Sequence, residues 1–221
     1  MNNIILVTSI IKPPPKPLSY AIRSVYTDQE RFEQTKLTIE TIKQKIPNSK
    51  IFIVECSELN DEETSWFIEN TDYCINLYSD EHLRNNIHSL SKSLGEGTMT
   101  IRALEFLISQ NIQYDSLIKI SGRYYLSDKF NYNNFYNDKI VFKYINNDTT
   151  NAFTALYKLP KYFVTGWLEF LKNKIIDMYN CIGFEQLFAM YLSTIDKEHI
   201  QHYDILGLEG YISVSGEFYI G

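Results

Sequence analysis

YDSLIKISGRYYL, Tyr114 to Leu126, is the stretch on which the reading of this chain turns. It leaves an acidic turn at Asp115, runs through the apolar Leu117, Ile118 and Ile120, and breaks at Ser121-Gly122. Arg123, Tyr124 and Tyr125 follow directly. A short apolar strand ending in Gly and Arg is how an α/β sheet brings a polar group to the crevice at its carboxyl edge. A plain strand end with a surface arginine has the same pattern, so the flanking sequence has to separate the two.

Working outward toward the N-terminus, Ile4 to Ile11 (IILVTSII) and Lys50 to Cys56 (KIFIVEC) are nearly continuous apolar runs. Such runs mark strands buried on both faces of a parallel sheet. Between them, Phe32, Leu37, Ile39, Ile42 and Ile46 fall near a 3.6-residue period, which predicts a helix over Glu30 to Ile46, stopped by Pro47. A second helix is opened by Asn60 or Asp61, with Glu62 and Glu63 complementing its dipole. Tyr73 to Tyr78 reads as a third strand, with Asp80 just past its end. The alternation predicts an α/β fold with a mostly parallel central sheet and helices on both faces, in one domain over residues 1–221.

Thr98 to Ser109 is a further helix, and Ser91 to Gly97 (SKSLGEG) reads as a glycine-containing approach to its N-terminus. Exposed N–H groups and the positive dipole end make such a place an anion site, and Lys92 adds a full charge. A flexible loop with a glycine cap is the plainer alternative. Beyond Arg123, strands are expected at Lys139 to Ile145 and Thr154 to Lys158, and helices at Pro160 to Lys172 and Gly183 to Leu192. The tail Ile205 to Tyr219 has the alternation of a strand interrupted by glycines.

The 221 residues are 44% hydrophobic and 22% charged, which is a globular composition able to bury a core without disulfides or metals. A formal net charge of −6 argues against a general nucleic-acid binder. Cys56, Cys74 and Cys181 lie far apart with no CxxC pair, which suits a reducing, cytoplasmic setting. The N-terminal run lacks a basic leader, and no apolar stretch reaches ~18 residues, so no membrane span is expected. The prolines from Pro13 to Pro17 stiffen a loop after the first strand. His199 and His202 offer two metal ligands where a zinc enzyme needs three, and they read as surface histidines.

The order of elements resembles the nucleotide-diphosphosugar transferases of the GT-A fold, particularly small bacterial and large-DNA-virus members. The resemblance is carried by Thr8 and Ser9 ending the first strand, Glu55 ending the second, SKSLGEG, YDSLIKISGRYYL, and GFEQ (Gly183 to Gln186) opening a late helix. It implies transfer of a sugar from a nucleotide-sugar donor to a glycan or other hydroxyl acceptor, as in glycan biosynthesis. The implied nucleotide contacts are Thr8, Ser9, Asp80, Lys92, Gly95 and Glu96, and the sugar diphosphate would lie by Lys119, Ser121, Gly122 and Arg123. Glu185 is the implied general base, which would invert the anomeric centre by in-line attack.

One departure from the family pattern matters. The family holds Mn²⁺ or Mg²⁺ with an Asp-x-Asp motif at the end of the fourth strand. Here that place reads Ser121-Gly122-Arg123, and the nearest acids, Asp115 and Asp128, flank it. No metal ligands are therefore assigned. Arg123, planar and bidentate toward phosphate, stands in for the metal against the leaving diphosphate, with Lys92, Lys119 and Arg102 in support. His202 near the diphosphate, and Glu209 and Glu217 as reserve acids, complete the expectations. Two alternatives remain open: a non-catalytic nucleotide- or glycan-binding domain, and a sugar nucleotidyltransferase. The latter normally shows a Gly- and Arg/Lys-rich loop after the first strand, where this chain has prolines with Lys12, Lys16 and Arg23 nearby.

Overall fold

The first strand, β1 (Asn3–Ser9), is buried at every position, as its unbroken β-branched run requires. The structure is a computed structural model that describes all 221 residues. After the proline loop comes α1 (Asp28–Lys45), opened by a Thr27/Glu30 capping box. Then follow β2 (Ser49–Glu55), α2 (Asp61–Asn70) capped by Asn60, and β3 (Tyr73–Asn76). A short helix that the sequence pattern did not reveal, α3 (Glu81–Ile87), precedes α4 (Lys92–Ser109). The chain continues through β4 (Ser116–Ser121), β5 (Tyr124–Leu126), β6 (Ile140–Phe142) and the hairpin β7 (Tyr144–Ile145) with β8 (Asp148–Ala152). Next are β9 (Leu156–Pro160), α5 (Lys161–Asn173), α6 (Ile175–Tyr179), α7 (Phe184–Leu192), β10 (Ile200–His202), β11 (Leu208–Tyr211) and β12 (Phe218–Ile220).

The central sheet has the strand order β10-β6-β9-β4-β1-β2-β3. β9 pairs antiparallel with both its neighbours, and the remaining pairs in the sheet are parallel. One apolar core lies under α4, α5 and α7, and another lies on the opposite face under α1 and α2. From β1 the chain steps to β2 and β3 on one side, then returns to lay β4 on the other side of β1. The gap between the ends of β1 and β4 is therefore the topological switch point, where open α/β sheets bind ligands. Thr8 sits opposite Ser121 across that gap.

Two local features fix what faces the gap. α1 buries a polar stripe, Arg31, Thr35, Thr38 and Thr41. Thr35 Oγ1 donates to Gly122 O at 2.8 Å, Thr38 Oγ1 donates to Tyr124 O at 2.6 Å, and Thr41 Oγ1 accepts from Leu126 N at 3.1 Å. The stripe thus takes up the backbone groups of β5, which belongs to a separate small sheet with β11 and β12. The second feature is a correction: SKSLGEG is not an approach loop, because α4 begins at Lys92 and contains both glycines. Gly95 is needed for close packing, since a Cβ there would stand 2.9 Å from the backbone oxygen of Ile87. Gly97 packs against the flexible end of the Met178 side chain.

Candidate active site

A cleft opens at the switch point and holds about 860 Å³ of space, part of it open to solvent. Thr8 and Ser9 from β1, Ser121 and Arg123 from the end of β4, and Lys92, Gly95 and Glu96 from the first turns of α4 line it together. Arg23, Arg31, Tyr20 and the tail residues Ile212 to Val214 complete the wall.

Arg123 is the group without an occupation. Its guanidinium makes no hydrogen bond or ion pair in the protein, and its Nε is buried without a partner. The only aromatic face near it is Tyr124, 5.7 Å away. Arg31 lies beside it, 5% exposed, with Nε donating to Ile10 O at 2.7 Å and Nη1 donating to Ser213 Oγ at 2.7 Å. Burial, and then the like charge of Arg123, push the Arg31 guanidinium down to about 9. Arginine stays charged at neutral pH, so two cations held together in this way favour any anion that enters. Arg23 is different: it braces the loop through the carbonyls of Lys16, Ile87 and Ser89.

Beneath the cleft lies a closed ion pair. Lys119, fully buried, donates from Nζ to Glu96 Oε1 at 2.5 Å, Ser121 Oγ at 2.8 Å and Thr154 O at 2.7 Å. All three of its protons have acceptors, so Lys119 supports the floor and does not face a ligand. Burial works to raise the Glu96 carboxyl, but Lys119 and Lys92 outweigh it and hold it below the ordinary glutamate range. Gly122 does not line the cleft either. Its Cα packs where an added Cβ would lie 3.1 Å from Ser9 Cβ, which lets the strand end turn tightly under α1.

Glu185 stands at the start of α7 in a neighbouring depression that shares Lys92 and Tyr20 with the cleft. Its Oε1 lies 3.6 Å from Lys92 Nζ and accepts from Thr154 Oγ1 at 3.2 Å. Thr154 therefore contacts both Lys119 and Glu185, and ties the floor to this acid. Lys92 is raised, first by Glu185 and then by Glu96.

Other expected residues lie elsewhere. Asp80 is the N-cap of α3, accepting from Leu83 N at 3.0 Å, and it lines a different recess. Short polar residues after a strand cap helices as readily as they meet ligands, and here the helix claims the side chain. Arg102 pairs with Glu105 at 2.8 Å on a separate face of α4. His202 is on β10, the outer strand of the sheet, beside Asp204. Glu209 accepts from the Tyr125 hydroxyl, and Asp128 pairs with Lys45. Glu55 is fully buried and raised by that burial; it takes the N–H of Ile11 and Cys56 and the hydroxyl of Ser57, and so fixes the turn after β1. Arg31 was missed by sequence reasoning. Its signal was available in the Arg31, Thr35, Thr38, Thr41 spacing, a polar stripe on the side of α1 that faces the sheet.

The divalent cation implied by the resemblance does not suit these residues. Ser121, Gly122 and Arg123 stand where carboxylates would be needed, Glu96 is engaged by Lys119, and Glu55, whose Oε1 takes two amides and a hydroxyl while Oε2 has no partner, is a single carboxylate. No three His, Cys, Asp or Glu gather as a metal site anywhere in the chain.

No protein-family model matches the chain, and no curated protein sequence matches it either. A solved structure does: a CTP:phosphocholine cytidylyltransferase from Streptococcus pneumoniae superposes with a TM-score of 0.54. The match covers 97% of this chain and 95% of that one at 10% sequence identity. The likeness is one of fold. This chain has a GT-A-like α/β fold, with the cleft at its switch point. No helix is long and apolar enough to cross a membrane.

Proposed function

We propose that this chain is a nucleotide-dependent transferase whose cleft holds the phosphates of a nucleoside di- or triphosphate donor. The observation that carries this reading is the unpartnered Arg123 guanidinium beside Arg31 at the switch point. Bond cleavage to a diphosphate leaving group builds negative charge, and oriented cations stabilise it where it forms. Arg123 provides a planar fork for two phosphate oxygens, and Lys92 a point charge at the start of α4.

Two reactions share this cleft. Sugar transfer is supported by Glu185, which lies in the depression across Lys92 and Tyr20 from the donor cleft. There it accepts the proton of an acceptor hydroxyl, the hydroxyl oxygen bonds to the anomeric carbon, and the C–O bond to the diphosphate breaks with inversion. Nucleotidyl transfer is supported by the fold likeness to a cytidylyltransferase over nearly the whole chain. In that case an oxygen of the second substrate attacks the α-phosphorus and pyrophosphate leaves.

The test is a titration of the purified protein with UDP-, GDP-, TDP- and CMP-sugars and with CTP and UTP, each with Mn²⁺ and with EDTA. Saturable binding that survives EDTA is expected. Binding only with metal would overturn the role given to Arg123, and no binding at all would remove the transferase reading. Released nucleoside diphosphate, or CMP from a CMP-sugar, then identifies sugar transfer, and released pyrophosphate nucleotidyl transfer. Glu185→Gln is expected to lower turnover about 10²–10⁴-fold with donor binding kept, if sugar transfer is the reaction.

A further inference from the structure

The depression beside the cleft is walled by the first turns of two helices, α4 and α7. On α4, Ser91 caps Leu94 N through its hydroxyl at 3.1 Å and Gly95 N through its carbonyl at 3.2 Å. The N–H groups of Lys92 and Ser93 donate to nothing in the protein. A separate observation points the same way. Ser93 lines the depression at 4% exposure, and its Oγ has no hydrogen-bond partner. A hydroxyl is costly to bury unpaired, so its partner is expected to come with a ligand.

Charge decides what kind of ligand. Lys92 and Glu185 cancel one another at 3.6 Å. The two helix N-termini add roughly half a positive charge each, which leaves the depression positive even with Glu185 ionised. A neutral hydroxyl acceptor would leave that field unanswered.

We propose that the depression binds an oxyanion, a phosphate monoester or a carboxylate, borne by the second substrate. The N–H groups of Lys92 and Ser93, the Ser93 hydroxyl and the Lys92 ammonium hold it. The word "substrate" rests on the transferase reading, whereas the anion site stands on its own geometry. Tyr20, 63% exposed and shared by both recesses, then separates the two ligands.

Amide NMR of the full chain tests this, with inorganic phosphate and acetate titrated separately. The expected result is a saturable shift of the Ser93 amide with one of the two anions, kept in Arg123→Gln and weakened about tenfold in Ser93→Ala. Both substitutions remove groups that have no partner, so both variants are expected to fold. A response to phosphate alone assigns a phosphate monoester, and a response to acetate alone assigns a carboxylate. Shifts confined to residues 121–123 that vanish in Arg123→Gln would overturn the site, as would no response at Ser93 to either anion. Nucleotide titrated into the same sample is read at residues 121–123. Its failure would remove the transferase reading and leave the anion result standing.

Discussion

Lys119 and Arg123 are two cations four residues apart at one end of the sheet, and their surroundings are opposite. Lys119 has no exposure, three acceptors and a carboxylate 2.5 Å away. Arg123 lines the cleft, and its guanidinium has no acceptor in the protein. The first is a charge whose partners the fold supplies. The second is a charge whose partner the fold leaves out. A buried ion pair of the first kind holds a floor in place, and a bare guanidinium of the second kind marks where an anion belongs.

The sharpest way to break this comparison is Lys119→Met. It leaves Glu96, 13% exposed at the cleft wall, without its nearest counter-ion, which is expected to cost about 3 kcal/mol in denaturant unfolding, the lower end of the range for a broken buried pair. Lys119→Met combined with Glu96→Leu is expected to recover most of that loss. A loss of the size seen at exposed pairs, under about 1 kcal/mol, would mean that the floor is not what Lys119 serves. Arg123→Ala is expected to do the reverse: nucleotide affinity falls about 10–100-fold while stability stays the same. Arg123→Lys falls between, because it keeps the charge and loses the fork. Unchanged affinity in Arg123→Ala would erase the contrast.

Acid sharpens the comparison further. The Glu96 carboxyl is held below its ordinary value of 4.5 by Lys119 and Lys92 acting against burial. Its stabilisation is therefore fully present above that value and lost as pH falls through the lower folded one. Unfolding measured against pH is expected to show this acid limb in the wild type and a flatter one in Lys119→Met. Salt gives the smallest effect. Between ~0.1 M and ~1 M the screening length drops from about 10 Å to 3 Å. Nucleotide affinity is expected to weaken several-fold over that range, while the difference in stability between wild type and Lys119→Met barely moves.

Much of the fold was legible because strand burial writes itself into sequence. β1 and β2 are nearly continuous apolar runs, β4 is a short apolar stretch interrupted by Lys119, and the pattern marks the ends of all three to within a residue or two. α3 was not legible, since seven residues give too few turns for a period to show. SKSLGEG misled for a different reason: glycine marks loops by its freedom, but Gly95 is there for its lack of a side chain. In the site, the end of β4 could be read from position alone. The engagement of Lys119 could not, because alternation says which way a side chain points and nothing about what it meets. Asp80 shows the same limit, as a cap and a ligand contact look identical in one dimension.

The contribution of Ser213 has a consequence for the order in which this protein is made. The cleft is lined from Thr8 to Val214, and Arg31 is held in place by Ser213. Chains leave the ribosome N-terminus first. The parallel strands β1 to β4 are thus available long before the last wall of the cleft has been translated. A chain that stops short of Ser213 contains every strand of the central sheet but lacks the contact that holds Arg31 and the last part of the cleft wall, so ligand binding is expected to weaken in such a truncation.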